Sequence, residues 1–359
     1  MSNFEEYIRQ GEPSRKEKAQ IWQTAIGLQD VDGLKPSDYL IETARENIEN
    51  KITISEVQQK IDSYYKQQLN RKNIDTERTE EADKVSARIT EILSNNTFSF
   101  SPLEYIEIHR RLFTGIYKFA GKIRDYNITK NEWVLKGHTV LYSDFNLIRQ
   151  TLDYDFSQEK QFDYKTIDYL QSIQHIAKFI SGIWQIHAFG EGNTRATAVF
   201  AIKYLRSLGF EIDNKLFAEH SWYFRNALVR ANFNDLKNNI HTTIEYLMRF
   251  FGNLLLNENN ILKNRELLID WKNEKNFQNA KNEESEVSKS DICTLNCTLD
   301  EHFVLEFLKN NPRARQKEIA VHIKKSERTV KTITSNLQQK KMLERHNGKR
   351  NGYWVVKKE

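Results

Sequence analysis

The residues best suited to chemistry lie in one short run, Ile186-His187-Ala188-Phe189-Gly190-Glu191-Gly192-Asn193-Thr194-Arg195. The imidazole of His187 ordinarily titrates near neutrality, where a side chain can take a proton from a hydroxyl. Gly190 and Gly192 free the backbone to turn and to present N–H groups in one direction. Helical spacing on both sides makes the run a loop feeding a helix N-terminus, whose unpaired N–H groups and dipole favour an anion such as a diphosphate. Arg195, in the first turn, adds a two-pronged donor for phosphate oxygens. Glu191 would repel those oxygens unless a Mg²⁺ lay between them. Singly, each has an ordinary explanation: a structural histidine, a glycine-rich helix start, an acid–arginine pair on a helix surface. Together in nine residues they have no comparable structural explanation.

The elements around this loop must position it. Leu170, Ile173, Ala177, Ile180 and Trp184 keep helical spacing before it, and Ala198, Val199, Ile202 and Leu205 after it. Ser101-Pro102-Leu103-Glu104 joins a capping box to a proline at the first helical position. Ile240, Ile244, Leu247, Phe251, Leu254 and Leu255 predict a further long helix. Residues 123–142 differ: Ile123, Tyr126, Ile128, Trp133, Val134, Leu135, Val140 and Leu141 predict short strands in a β-hairpin, with a plain surface hairpin as the bland alternative. Upstream, Ser14-Arg15-Lys16-Glu17 and Thr53-Ile54-Ser55-Glu56 read as capping boxes, and Ser37 as the cap of a helix between them.

The row HAFGEGNTRATA resembles the signature of the Fic/Doc family, at His187, Phe189, Glu191, Gly192, Asn193 and Arg195. The resemblance extends over roughly 100–255, through IHRRLFTGIYKFAGKIRDYNI and FRNALVRAN. It implies an all-α core with a β-hairpin flap that docks the target chain, with Trp133, Val134 and Leu135 on that flap. It implies ATP and Mg²⁺ as cofactors and His187 as the base that activates a Ser, Thr or Tyr hydroxyl of a target protein. Glu191 would hold Mg²⁺, while Gly190, Gly192, Asn193, Thr194 and Arg195 would line the nucleotide, and Phe189 would anchor the loop in the core. Asn226 and Asn232 are the adenine-pocket candidates. Three positions depart from the signature: Ala188 replaces Pro, Thr194 replaces Gly, and Ala198 stands where a second Arg is usual. The N-terminal segment resembles the small antitoxin-like modules that silence such enzymes. Its nearest match to their inhibitory motif is Leu28-Gln29-Asp30-Val31-Asp32-Gly33, which makes Asp32 the inhibitory candidate. A plain helical packing module is the alternative.

The rest of the chain bounds these readings. It has 359 residues, 39% hydrophobic and 29% charged, 4 prolines and a net charge of +5. This fits a helix-rich globular protein, only mildly basic. No signal-peptide core and no uncharged apolar run of about 18 residues is present, so a cytoplasmic protein without a membrane partner is expected. Cys293 and Cys297 read as incidental thiols.

Residues 271–299 lack periodicity, and over 300–359 Lys and Arg outnumber acids by about eight. That last stretch predicts three helices and a hairpin with a basic tip, resembling a winged helix. In a DNA reading Arg328, Lys331 and Thr332 face the major groove while Lys349 and Arg350 touch phosphates; the alternative is protein contact or a homodimer. The expected layout is mainly α: an N-terminal module over 1–75, a Fic-type core over 80–265, a linker over 266–299 and a winged helix over 300–359. The expected activity is AMP transfer from ATP to a protein hydroxyl. The alternatives are phosphotransfer with ATP inverted, or a non-catalytic DNA-binding regulator.

Overall fold

The computed structural model describes residues 4–67, 74–210, 212, 214–270, 304–305, 307–309, 311–323, 327–340, 342–346 and 352–357. The fold is mainly α-helical. In chain order the helices are α1 (Glu5–Gln10), α2 (Pro13–Gly27), α3 (Asp38–Ile48), α4 (Ile54–Gln67), α5 (Ile74–Ser94), α6 (Pro102–Phe113), α7 (Ile148–Gln161), α8 (Tyr169–Ile186), α9 (Asn193–Ser207), α10 (Asn214–Ala231) and α11 (Glu245–Leu256). Local chemistry sets most of their starts. Ser101 Oγ accepts from the Glu104 N–H at 3.1 Å ahead of Pro102. Ser37 Oγ caps α3 through the Leu40 N–H at 3.0 Å, and Thr53 and Glu56 exchange bonds at the start of α4. The Ser14 box does not form. Helix α2 begins one residue earlier, at Pro13, without a side-chain cap, because proline's fixed φ already suits the first helical turn.

The described residues up to Phe162 and from Gln174 to 270 belong to one compact unit. Helix α2 packs on α5 and α10, and α6 on α9. The segment read as a module of its own, 1–75, is therefore built into the same unit as the 187–192 loop. Gly27 permits this: a Cβ there would lie 2.4 Å from the Ala218 backbone on α10. Asp83 of α5 ties the same region together, accepting from the Ser37 N–H at 2.8 Å and the Tyr65 hydroxyl at 2.7 Å.

Residues 123–142 double back as a hairpin would, but without the predicted strands. The turn is a 3₁₀ element over Trp133–Leu135, followed by Lys136 and Gly137 at positive φ. Glu132 N–H donates to the His138 carbonyl and Gly137 N–H to that of Glu132, both at 3.0 Å. The arms spend other backbone groups elsewhere, on Arg124, Gln185 and Ile269, which leaves no continuous ladder.

The second unit comprises Asp163–Ile173 and the described residues from 304 onward. Residues 304–305 and 307–309 are helical, followed by α12 (Gln316–His322), α13 (Glu327–Gln339), β1 (Leu343–His346) and β2 (Tyr353–Val356). The strands pair antiparallel with Leu343 opposite Val356 and His346 opposite Tyr353. Val304, Leu308, Ile319, Val330, Leu337 and Trp354 form its core. Cys293 and Cys297 fall outside the described residues. Among those described, no helix is long and apolar enough to cross a membrane.

Candidate active site

The loop 187–192 joins α8 to α9, and its shape is fixed from inside. Asn193, first residue of α9, accepts from the Phe189 N–H at 3.0 Å and donates to the Phe189 carbonyl at 2.7 Å. The Phe189 ring stacks on His109 at 3.7 Å, and His109 in turn accepts from the Gly121 N–H and so donates to the Glu191 carbonyl. Gly192 sits at φ 79°, with the Phe113 ring 2.4 Å from where a Cβ would be. Glycine is required there on both counts.

His187 is held in a left-handed backbone conformation, φ 49°. Arg124 is the support: its buried guanidinium donates to the His187 carbonyl at 2.7 Å and the Ile186 carbonyl at 3.3 Å, and to Tyr126 and Ser143 on the two flap arms. The imidazole is 2% exposed and lies 4.2 Å from the Tyr142 ring and edge-on to Trp184. Its Nδ1 contacts the Trp184 carbonyl at 3.2 Å. A carbonyl only accepts, so Nδ1 carries the proton and Nε2 bears the lone pair. That Nε2 is buried and has no hydrogen-bond partner among the described residues. Burial, with Lys130, Arg124 and Arg225 nearby, holds the imidazole well below its usual titration range, against an opposing contribution from the Trp184 carbonyl. The result is a neutral base under the flap arm, outside the open cleft.

Arg195 shows the opposite situation. It is 1% exposed, over the Phe113 ring, with Nη2 donating to Glu81 at 2.6 Å and Tyr117 at 3.2 Å, and Nη1 to Gln29 at 3.1 Å. Asp32 forms an ion pair with Nε at 2.7 Å, angled off the hydrogen-bond line. Burial disfavours the guanidinium charge, but Asp32, Tyr117 and Glu81 outweigh it and raise the group above its ordinary value. Beside it opens a cleft of about 690 Å³ whose wall includes Asp32, Glu81, Tyr117, Glu191, Trp222 and Arg225. Glu191 is 54% exposed and bridged at 3.0 Å to Lys130 of the flap.

The loop at the centre of these features lies in a segment with a family match. Residues 99–205 match the Fic/DOC family. The Fic/DOC span holds the loop, Lys130 and Glu132, whereas Asp32, Glu81 and Arg225 lie outside it. A Fic family protein from Desulfovibrio desulfuricans is similar in structure, at 9% identity and a TM-score of 0.44, over 99% of this chain and 93% of that one. Comparison with curated proteins finds no match.

The structure brings His187, Gly190, Glu191, Gly192, Asn193, Thr194, Arg195 and Asp32 together, with corrections. Thr194, a nucleotide-lining candidate, turns into the core, its hydroxyl accepting from the Trp184 indole N–H at 3.0 Å. Asp32, the inhibitory candidate, meets Arg195, and Ala198 itself is enclosed. Asn226 and Asn232 do not reach the cleft. Asn226 donates to Asn264 at 2.7 Å, and Asn232 to Ser181 and Leu228, which makes them structural amides. Of the flap candidates only Trp133 is exposed, at 49%; Val134 and Leu135 are buried anchors, because the loop turns its apolar tip against the unit. On α13, Lys331 and Thr332 are exposed. The Arg328 side chain, Lys349 and Arg350 lie outside the described residues. Sequence reading missed Lys130, Glu132, Glu81 and Arg225. FRNALVRAN was noticed, but its asparagine drew attention from the arginine beside it.

Proposed function

We infer that this site transfers AMP from ATP to a hydroxyl of a target protein. The observation that carries the reading is the unpartnered, buried Nε2 of His187 beside a loop of phosphate-binding chemistry. The target hydroxyl gives its proton to Nε2, its oxygen bonds to the α-phosphorus, and the bond from that phosphorus to the bridging oxygen breaks, releasing pyrophosphate. The imidazole is covered by Tyr142, so the flap arm moves before the hydroxyl arrives. The donor set suits Mg²⁺: one accessible carboxylate, Glu191, beside a phosphate site is the usual protein share for this ion. When bound, it would neutralise phosphate charge.

In the resting arrangement Asp32 and Glu81 occupy the guanidinium that phosphates need, a reading in which the N-terminal turn restrains the site. The C-terminal unit, with its helix–helix–helix–hairpin order and exposed Lys331, fits a winged-helix DNA contact; binding to duplex DNA that weakens with salt tests it. Intact-mass spectrometry of the protein with ATP, Mg²⁺ and a protein acceptor tests the main reading. A gain of one AMP supports it, whereas a gain of phosphate favours inverted ATP and no change favours a non-catalytic role.

A further inference from the structure

The cleft holds a second cation whose role neither the loop nor the family match assigns. Arg195 faces two carboxylates, an amide and a phenol. Arg78 is engaged with the carbonyls of Asp32 and Gly33, and Lys130 with Glu191. Arg225, from α10, is held differently. Among the described residues it meets one carboxylate, Glu132 at 2.8 Å, and its guanidinium lies 5.0 Å from the Trp222 ring. A long bond of 3.4 Å joins Nη1 to Asn226. The side chain is 16% exposed and lines the cleft beside Trp222, Glu191 and Arg195.

A guanidinium has five donors, so one carboxylate and one aromatic face fix its direction while leaving capacity for another anion. Its anchor also places it near the base: Glu132 accepts from the Tyr142 hydroxyl at 3.1 Å, and that ring covers His187. We propose that Arg225 is a second phosphate-binding residue of this cleft, aimed at the polyphosphate of the nucleotide and positioned by Glu132 and Trp222. The proposal rests on the nucleotide reading given above and names the residue that reads the phosphate chain.

Calorimetry on the full chain with ATP and with inorganic tripolyphosphate, both with Mg²⁺, tests it. Arg225→Gln should weaken both ligands about tenfold or more, the scale of one charge-assisted hydrogen bond. Glu132→Gln keeps an acceptor that still orients Arg225 but removes the carboxylate that competes with phosphate, so it should bind ATP more tightly than the native protein. The double variant Glu132→Gln/Arg225→Gln, which keeps an uncharged pair, should melt near the native temperature and still show the loss. Unchanged affinity in Arg225→Gln or in the double variant overturns the proposal, as does equal weakening in Glu132→Gln. Absence of ATP binding in both the native chain and Asp32→Ala would instead remove the nucleotide reading, and this proposal with it.

Discussion

His187, on the loop, and Arg195, in the first turn of α9, stand at opposite ends of one nine-residue run, and the structure treats them in opposite ways. Arg195 is enclosed by partners: it pairs with Asp32 and Glu81 and bonds Gln29 and Tyr117. His187 keeps a buried lone pair with no hydrogen-bond partner among the described residues. A buried acceptor left unpaired costs about 1–3 kcal/mol, so it survives only because Arg124 and the flap arms dictate the loop. The anion end is closed by charge and the base end by a cover. On the proposed reading the difference teaches that the base would already be in its working protonation state, while the arginine meant for phosphate is held by the protein's own acids.

The comparison can be broken at the base end first. His187→Ala should lower transfer by about 10²–10⁴-fold, the usual share of a general base, while ATP affinity measured by calorimetry stays within error. A variant retaining full turnover would remove His187 from the chemistry. At the other end, Asp32→Ala combined with Glu81→Gln should raise ATP affinity by about tenfold or more, since each carboxylate competes with phosphate for the same donors. The same variant should melt lower without ligand and regain stability with ATP·Mg²⁺. Unchanged affinity would mean that the acids only build the fold.

The pH dependence sharpens the contrast. As a general base His187 would act in its neutral form, and its titration is depressed by burial and by Lys130, Arg124 and Arg225, against the Trp184 carbonyl. A lowered value keeps the base unprotonated further into acid, so the acid limb of kcat/KM should fall below pH 6.5, the ordinary histidine range. A limb at or above that pH in the native protein, absent from a variant with a different base, would contradict the buried environment. The smallest effect belongs to Lys130→Ala. It frees a half-exposed Glu191, and an exposed ion pair is worth about 1 kcal/mol or less, so the Mg²⁺ concentration for half-maximal ATP binding should fall by about fivefold at most.

Much of this was legible in the sequence where chemistry is local. Ser101, Ser37 and Thr53 announced their helices because a cap is a matter of three adjacent residues. The loop announced itself because glycine, acid, amide and arginine must be close along the chain to serve one phosphate. What was not legible depends on long-range packing. Glu81 and Arg225 sit on α5 and α10, far from the loop in sequence, and nothing local separates them from surface charges. The flap's apolar alternation read as strands, but Val134 and Leu135 bury themselves against the unit, and the arms lose their ladder to Arg124, Gln185 and Ile269. Thr194 read as a nucleotide-lining residue, but its hydroxyl meets the Trp184 indole on α8.

A crystal structure of the Asp32→Ala protein with a non-hydrolysable ATP analogue and Mg²⁺ tests the central claim most directly. The account predicts phosphate oxygens on the Arg195 guanidinium and His187 Nε2 facing the α-phosphate across a space open to a hydroxyl. Nucleotide bound away from the 187–195 loop, or Nε2 directed away from its phosphates, would contradict it.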